Sequence, residues 1–192
     1  MTERRALTIG GVALLGIVIG WVLFVGVPRW YTARATRTVA ASPAPIAPPP
    51  PGRKIKAHLY YVADDGLRLT SVERDIAYGE GTLAQAREIV AAQIAPVAEP
   101  LVSAVPTGTR LRALFVSERG EAFVDLSREI VAAHPGGTVD ELLTIYTIVN
   151  TLTVNLPAIT SVQVLVDGKE VDTLAGHIDL RRPLAKNLTW VQ

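Results

Sequence analysis

From Lys54 to Ala63 apolar and polar residues alternate. Ile55, Ala57, Leu59 and Tyr61 fall on one side, and Lys54, Lys56, His58 and Tyr60 on the other. A period of two is that of a strand with one wet face. Asp64-Asp65-Gly66 supplies a turn, and Leu67 to Ile76 returns as the second strand of a hairpin. The period then lengthens. Thr82-x-x-Gln85 reads as a capping box opening a helix whose apolar face carries Ala86, Ile89, Val90 and Ile94, and Pro96 and Pro100 prevent its continuation. A second hairpin follows, with Leu111, Ala113 and Phe115 alternating against Arg110 and Arg112, a turn at Glu118-Arg119-Gly120, and a return through Ala122, Val124 and Leu126. Pro135-Gly136-Gly137 breaks the chain before a second capping box, Thr138-x-x-Glu141, whose helix turns Val139, Leu142, Leu143, Tyr146 and Val149 to a core. Val162, Val164 and Val166 form a fifth strand, and Asp167-Gly168 turns into a short sixth, Glu170 to Leu174. The predicted class is α+β, a largely antiparallel sheet in the order ββαββαββ with two helices packed on one face.

Ahead of this domain the pattern changes twice. Residues 6–27 carry no charge, and a run of about 22 apolar residues is long enough to cross a bilayer as a helix. Arg4 and Arg5 precede it, and Trp21, Trp30 and Tyr31 suit an aromatic belt. Val39-Ala40-Ala41 resembles a signal-peptidase site, but it lies beyond Arg29, Arg34 and Arg37, so the run is read as an uncut anchor. Residues 38–52 are Ala, Pro, Ser and Thr with Pro43, Pro45 and Pro48 to Pro51. Such a segment extends as polyproline II, reaching roughly 45 Å at about 3.1 Å per residue. The organisation is therefore an anchor with basic flanks (1–37), a proline-rich linker (38–52) and one domain (53–192). The stalk favours a single pass through the cytoplasmic membrane with the N-terminus inside and the domain extracytoplasmic, although two Arg before the helix and three after do not.

Composition narrows the function. The net charge of +1 is unevenly spread: residues 1–52 hold five Arg against one Glu, leaving the domain mildly acidic and poorly suited to nucleic acid. The absence of cysteine excludes disulfides, thiolate catalysis and Cys-ligated zinc. His58, His134 and His177 have no second His or carboxylate at ligand spacing, so no metal or other cofactor is expected. Asp125, Ser127 and His177 are the residues of a hydrolytic triad, but Ser127 lacks a nucleophile-elbow sequence and reads equally well as an N-cap for Arg128 to Ala132. Gly136-Gly137-Thr138 is a turn and cap, not a phosphate loop. The expectation is a protein with no catalytic site. Two polar features remain: Asn150, inside an apolar helix and in need of backbone partners, and Arg110, Arg112 and Arg119, a basic strand face offering a partner surface.

Several short motifs in order carry a family resemblance. They are Ser103 to Thr109 (Ser-Ala-Val-Pro-Thr-Gly-Thr), Val124-Asp125-Leu126-Ser127, Ile148-Val149-Asn150-Thr151-Leu152-Thr153, the Val166-Asp167-Gly168 turn and Gly176-His177-Ile178-Asp179. With them the domain resembles the GerMN domain of sporulation and germination proteins over residues 56–184. The family often has Gly-Pro after the first helix, where this chain has Ala95-Pro96. The resemblance implies a non-catalytic extracytoplasmic module in a multiprotein envelope assembly, partnered by another protein or by copies of itself. Edge strands of an open sheet are natural sites for such pairing. The alternative is binding to cell-wall peptidoglycan, which calls for an aromatic groove.

Overall fold

The computed structural model describes residues 52–192 and the single position Trp21. The anchor and linker readings lie outside the described residues. Among the described residues no helix is long and apolar enough to cross a membrane.

The first hairpin forms where its period predicts, but Tyr60, expected on the wet face, is buried like Leu59 and Tyr61. In this hairpin β1 (Lys54–Val62) pairs antiparallel with β2 (Leu69–Ala77) in unbroken register from Lys54↔Ala77 to Val62↔Leu69. It does not join the main sheet but makes a two-stranded ribbon of its own. Helix α1 (Gly81–Ile94) follows, then β3 (Leu111–Val116), β4 (Glu121–Leu126), the short α2 (Glu129–Ala132), α3 (Thr138–Asn155), β5 (Ser161–Val166), β6 (Lys169–Glu170) and β7 (Leu184–Ala185). The α+β class is confirmed. The single antiparallel sheet in ββαββαββ order is corrected to a ribbon plus a five-stranded sheet, with an extra short helix and an extra strand. The centre of that sheet is a parallel pair, β4–β5, running from Glu121↔Ser161 to Leu126↔Val166. Parallel pairing follows from connectivity, because the chain leaves the end of β4 and must cross back through α2 and α3 before β5 can start.

Three local readings also change. A β-bulge between Leu111 and Ala113 reverses the faces of β3, so Leu114 enters the core while Phe115, expected inside, is 58% exposed. The sixth strand shrinks from Glu170–Leu174 to two residues, and the chain beyond it wraps as a loop. Neither capping box forms. Helix α1 starts at Gly81 after Glu80, α3 starts at Thr138 after Gly137, and neither has a side-chain cap. Gln85 instead accepts the Gly79 N–H (2.9 Å) and donates to the Ala77 carbonyl (3.1 Å). That tight entry requires glycine at 79, where a Cβ would lie 2.5 Å from the backbone of Ala84 and Gln85.

The main core is closed by Leu114, Val124, Leu126, Val162 and Val164 from the sheet, Ala86 and Val90 from α1, and Ile145, Ile148, Val149 and Leu152 from α3. Ala57 and Ile76 of the ribbon pack on Ile89, while Tyr60 and Leu69 pack on Leu143 near Trp190. Helix α3 thus has neighbours on nearly every side, which is why it buries most of its turns instead of one stripe. Val139, expected inside, lies at its exposed start.

Candidate functional site

The three arginines do not make one basic face. Arg112 sits at the bulge, its Nε 3.2 Å from Asp125 Oδ2 and its Nη1 2.6 Å from Asp167 Oδ1. Asp125 is nearly buried and its other oxygen accepts the Gly168 N–H at 2.7 Å. Asp167, with φ 50°, and Gly168, with φ 75°, make the left-handed turn that brings this N–H into place. Arg112, Asp125, Asp167 and Gly168 are therefore one lock between β3, β4 and the β5–β6 turn, with the arginine's charge taken up by two carboxylates. Arg110 lies beyond the bulge, 3.9 Å from Glu129 at the closest, and Arg119 stands in the turn at the far end of β3.

His177 belongs to a different arrangement, built on a residue that the pattern hid. The Glu141 carboxylate is fully buried and accepts the backbone N–H groups of Leu174 and His177, both at 2.8 Å; the His177 Nδ1 is 3.2 Å away. Burial pushes the Glu141 pKa up, but N–H groups from Ala175, His177, Leu174 and Ile178 outweigh it and hold the carboxyl below the usual range. The loop after β6 is thus wound around a carboxylate from α3. Glu141 was legible as an acid in the first turn of α3, and that position explained it as a cap before its burial could be suspected.

Asn150 is fully buried, with its amide donating to the Asn187 carbonyl (2.8 Å) and its carbonyl accepting the Asn187 N–H (3.0 Å). The same two-bond grip recurs. Gln93 takes both backbone groups of Tyr60 at 2.8 Å, and Asn155 takes both of His58 at 2.8 Å. Thr151 donates to Gln93 as well, at 2.8 Å. Two helices therefore cover the outer edge of β1 with side-chain amides where a strand would otherwise be needed. Gln93 had a visible signal, since it recurs four residues after Ile89 on an otherwise apolar face.

The triad residues are kept apart by their own partners. Asp125 serves Arg112 and Gly168, His177 serves Glu141, and Ser127 Oγ accepts the Arg110 N–H at 2.9 Å. Ser127 does not cap α2, whose N-cap is Arg128 with no side-chain bond. His134 lies between the Gly136 N–H on Nδ1 (3.0 Å) and Thr144 Oγ1 on Nε2 (3.2 Å), and His58 Nδ1 lies 3.2 Å from Ser71 Oγ. Among the described residues no three His, Asp or Glu side chains converge as a metal site. A groove of about 770 Å³ opens along the loop after α1, walled by Val62, Val97, Leu101, Val102 and Pro106, with Arg110 and Asp140 at its rim.

The sequence profile of the Germane family, described as sporulation and spore germination, matches residues 58–172. The chain belongs to the Germane family. Its domain is similar in fold to the tandem GerMN domains of the sporulation protein GerM from Bacillus subtilis, at 17% identity and a TM-score of 0.54 over 69% of this chain and 46% of that one. It also matches the first GerMN domain of GerM alone, at 17% identity and a TM-score of 0.49 over 69% of this chain and 96% of that one. A candidate lipoprotein from Clostridium perfringens matches at 26% identity and a TM-score of 0.49, over 73% of this chain and 93% of that one. No curated protein matches the chain. The Germane profile covers the ribbon from His58 on, the central helices and the β5–β6 turn, so the amide grips on His58 and Tyr60 and the Arg112 lock all fall within the family region.

Proposed function

We propose that this Germane-family chain is a membrane-anchored envelope protein. On this reading its extracytoplasmic domain is a non-catalytic module for protein–protein contact or assembly. One observation carries the reading: the polar residues that could have formed a reactive centre are each committed to the backbone or to a charge partner. Ser127 is held on the Arg110 N–H, Asp125 on Arg112 and Gly168, and His177 on Glu141. None of the three is hydrogen-bonded to another, so no nucleophile and base are paired among them, which supports the non-catalytic reading. The anchor and orientation rest on the apolar run at 6–27 and the proline-rich segment at 38–52. Membership of a family named for sporulation and germination supports an envelope setting.

The test is gentle extraction of tagged full-length protein in non-ionic detergent, sizing of the particle, and mass spectrometry of what co-purifies. A large particle with defined envelope proteins, lost when residues 53–192 are deleted, supports the reading. A particle of one or two chains without protein partners counts against it and turns the search to peptidoglycan fragments.

A further inference from the structure

Most strand edges in the described domain are already covered. The outer edge of β1 is taken by Asn155, Gln93 and a bond from Val62 N–H to the Val102 carbonyl (2.8 Å). Leu114, midway along β3, is fully buried with Arg87 Nη2 3.4 Å from its carbonyl, and β6 and β7 are two residues each. β2 differs. At one end Leu69 donates to Trp190 O (2.7 Å) and accepts from Gln192 N–H (2.9 Å); at the other, Ala77 O takes the Gln85 amide. Outward-facing residues recur every second position, so Ser71, Glu73 and Asp75 also turn their N–H and C=O groups away from β1. All three are exposed, and among the described residues none of these main-chain groups has a protein partner.

The side chains along this open stretch select what can lie there. On one face Glu73 and Asp75 share one ion-pair partner, Lys56 Nζ, at 3.3 Å each; Lys54, the other cation on that face, lies opposite Ala77 at the end of the ribbon and pairs with neither. On the other face stand Val72, half-buried, and the exposed Arg74, whose guanidinium lies 5.8 Å from the Tyr61 ring centre. A second copy fits poorly. Two-fold antiparallel pairing about Glu73 sets Glu73 against Glu73, and pairing about Arg74 sets Arg74 against Arg74 and Glu73 against Asp75. Pairing about Ser71 or Val72 runs the copy opposite Leu69, whose edge groups residues 190 and 192 already take.

We infer that the edge of β2 from Ser71 to Asp75 accepts, by strand addition, an extended segment of a partner protein in which Lys or Arg alternates with aliphatic residues. The inference rests on the interaction-module reading and supplies the partner's chemistry. Main-chain bonds to the three outward residues give the affinity. The two carboxylates, which share one lysine, select a cationic side chain on one face, and Val72 favours an apolar one on the other.

The probe is a labelled, end-blocked peptide of about eight residues alternating Lys and Val, titrated by fluorescence anisotropy against full-length protein in non-ionic detergent. The Lys–Val peptide binds, and added salt weakens it. A Glu–Val peptide, or a Lys–Val peptide N-methylated at alternate residues, binds about tenfold more weakly or worse. Glu73→Pro removes one outward N–H and leaves the β1 ladder intact, so it reduces binding while the thermal transition persists. The double variant E73K/D75K reverses the preference toward Glu–Val. No binding of Lys–Val by the wild type, equal binding of Glu–Val, or E73K/D75K binding both peptides as the wild type does would overturn the inference. If Glu73→Pro does not fold, the charge-reversed variant decides. An envelope partner that co-purifies equally with wild type and E73K/D75K overturns the β2 edge and leaves the interaction-module reading standing. Loss of that partner from the variant supports both, and absence of any partner from the wild type sinks the broader reading.

Discussion

Glu141→Gln replaces a buried acceptor of several N–H groups with an amide whose NH2 end must face donors. The expected cost is about 2 kcal/mol, read as a lowered urea midpoint at unchanged slope. The sign of the pH dependence follows from the depressed folded-state pKa. The Glu141 contribution is complete above the ordinary Glu range near about 4.3, and is lost as pH falls through its lower folded value. Acid titration of stability should therefore be shallower in Glu141→Gln than in the wild type; parallel curves would remove Glu141 as a source. At this scale Asn150 was partly legible, because an amide inside an apolar helix must find backbone partners. His177 was visible in a family motif and beside Asp125 and Ser127 as the residues of a triad, but not as the partner of Glu141. Its carboxylate partner lies 36 residues away in sequence, and nothing local relates the two.

At the scale of elements, periodicity located the ribbon, both main helices, the β3–β4 hairpin and β5, because each carries a repeat of apolar positions, even α3, which buries more than that one stripe. It misread β3 because one bulged residue exchanges the two faces of everything beyond it. Leu114→Ala should cost about 3 kcal/mol while Phe115→Ser stays within about 0.5 kcal/mol of wild type, the reverse of what alternation from Leu111 implies. Thermal unfolding of the two variants decides it. Gln93→Ala strips both backbone groups of Tyr60 of their partners and should destabilise by about 2–4 kcal/mol, more than an exposed Gln would. Faster amide exchange at Tyr60 would accompany the loss, and an unchanged exchange rate there would show that another group covers the edge.

For the molecule as a whole, the C-terminal segment ties the ribbon to α3: Trp190 packs near Tyr60, Leu69 and Leu143, and residues 190 and 192 bond to Leu69. Deleting residues 189–192 should cost roughly 2 kcal/mol in a thermal scan and uncover Leu69 at the end of the β2 edge. A variant that melts like the wild type would show that the ribbon is held by α1 and α3 alone. The sequence by itself determined where the longer strands and the two main helices lie, the α+β class, the absence of thiol chemistry and the Asp167-Gly168 turn, since each depends on composition or on neighbours within a few residues. Tertiary structure alone decided the separation of ribbon from sheet, the parallel β4–β5 pair and the recruitment of Glu141, Gln93 and Asn155 as partners for distant backbone. These depend on which donors and acceptors are left unpaired once the chain closes on itself, and buried polar groups must then be satisfied by whatever side chain the packing brings within reach.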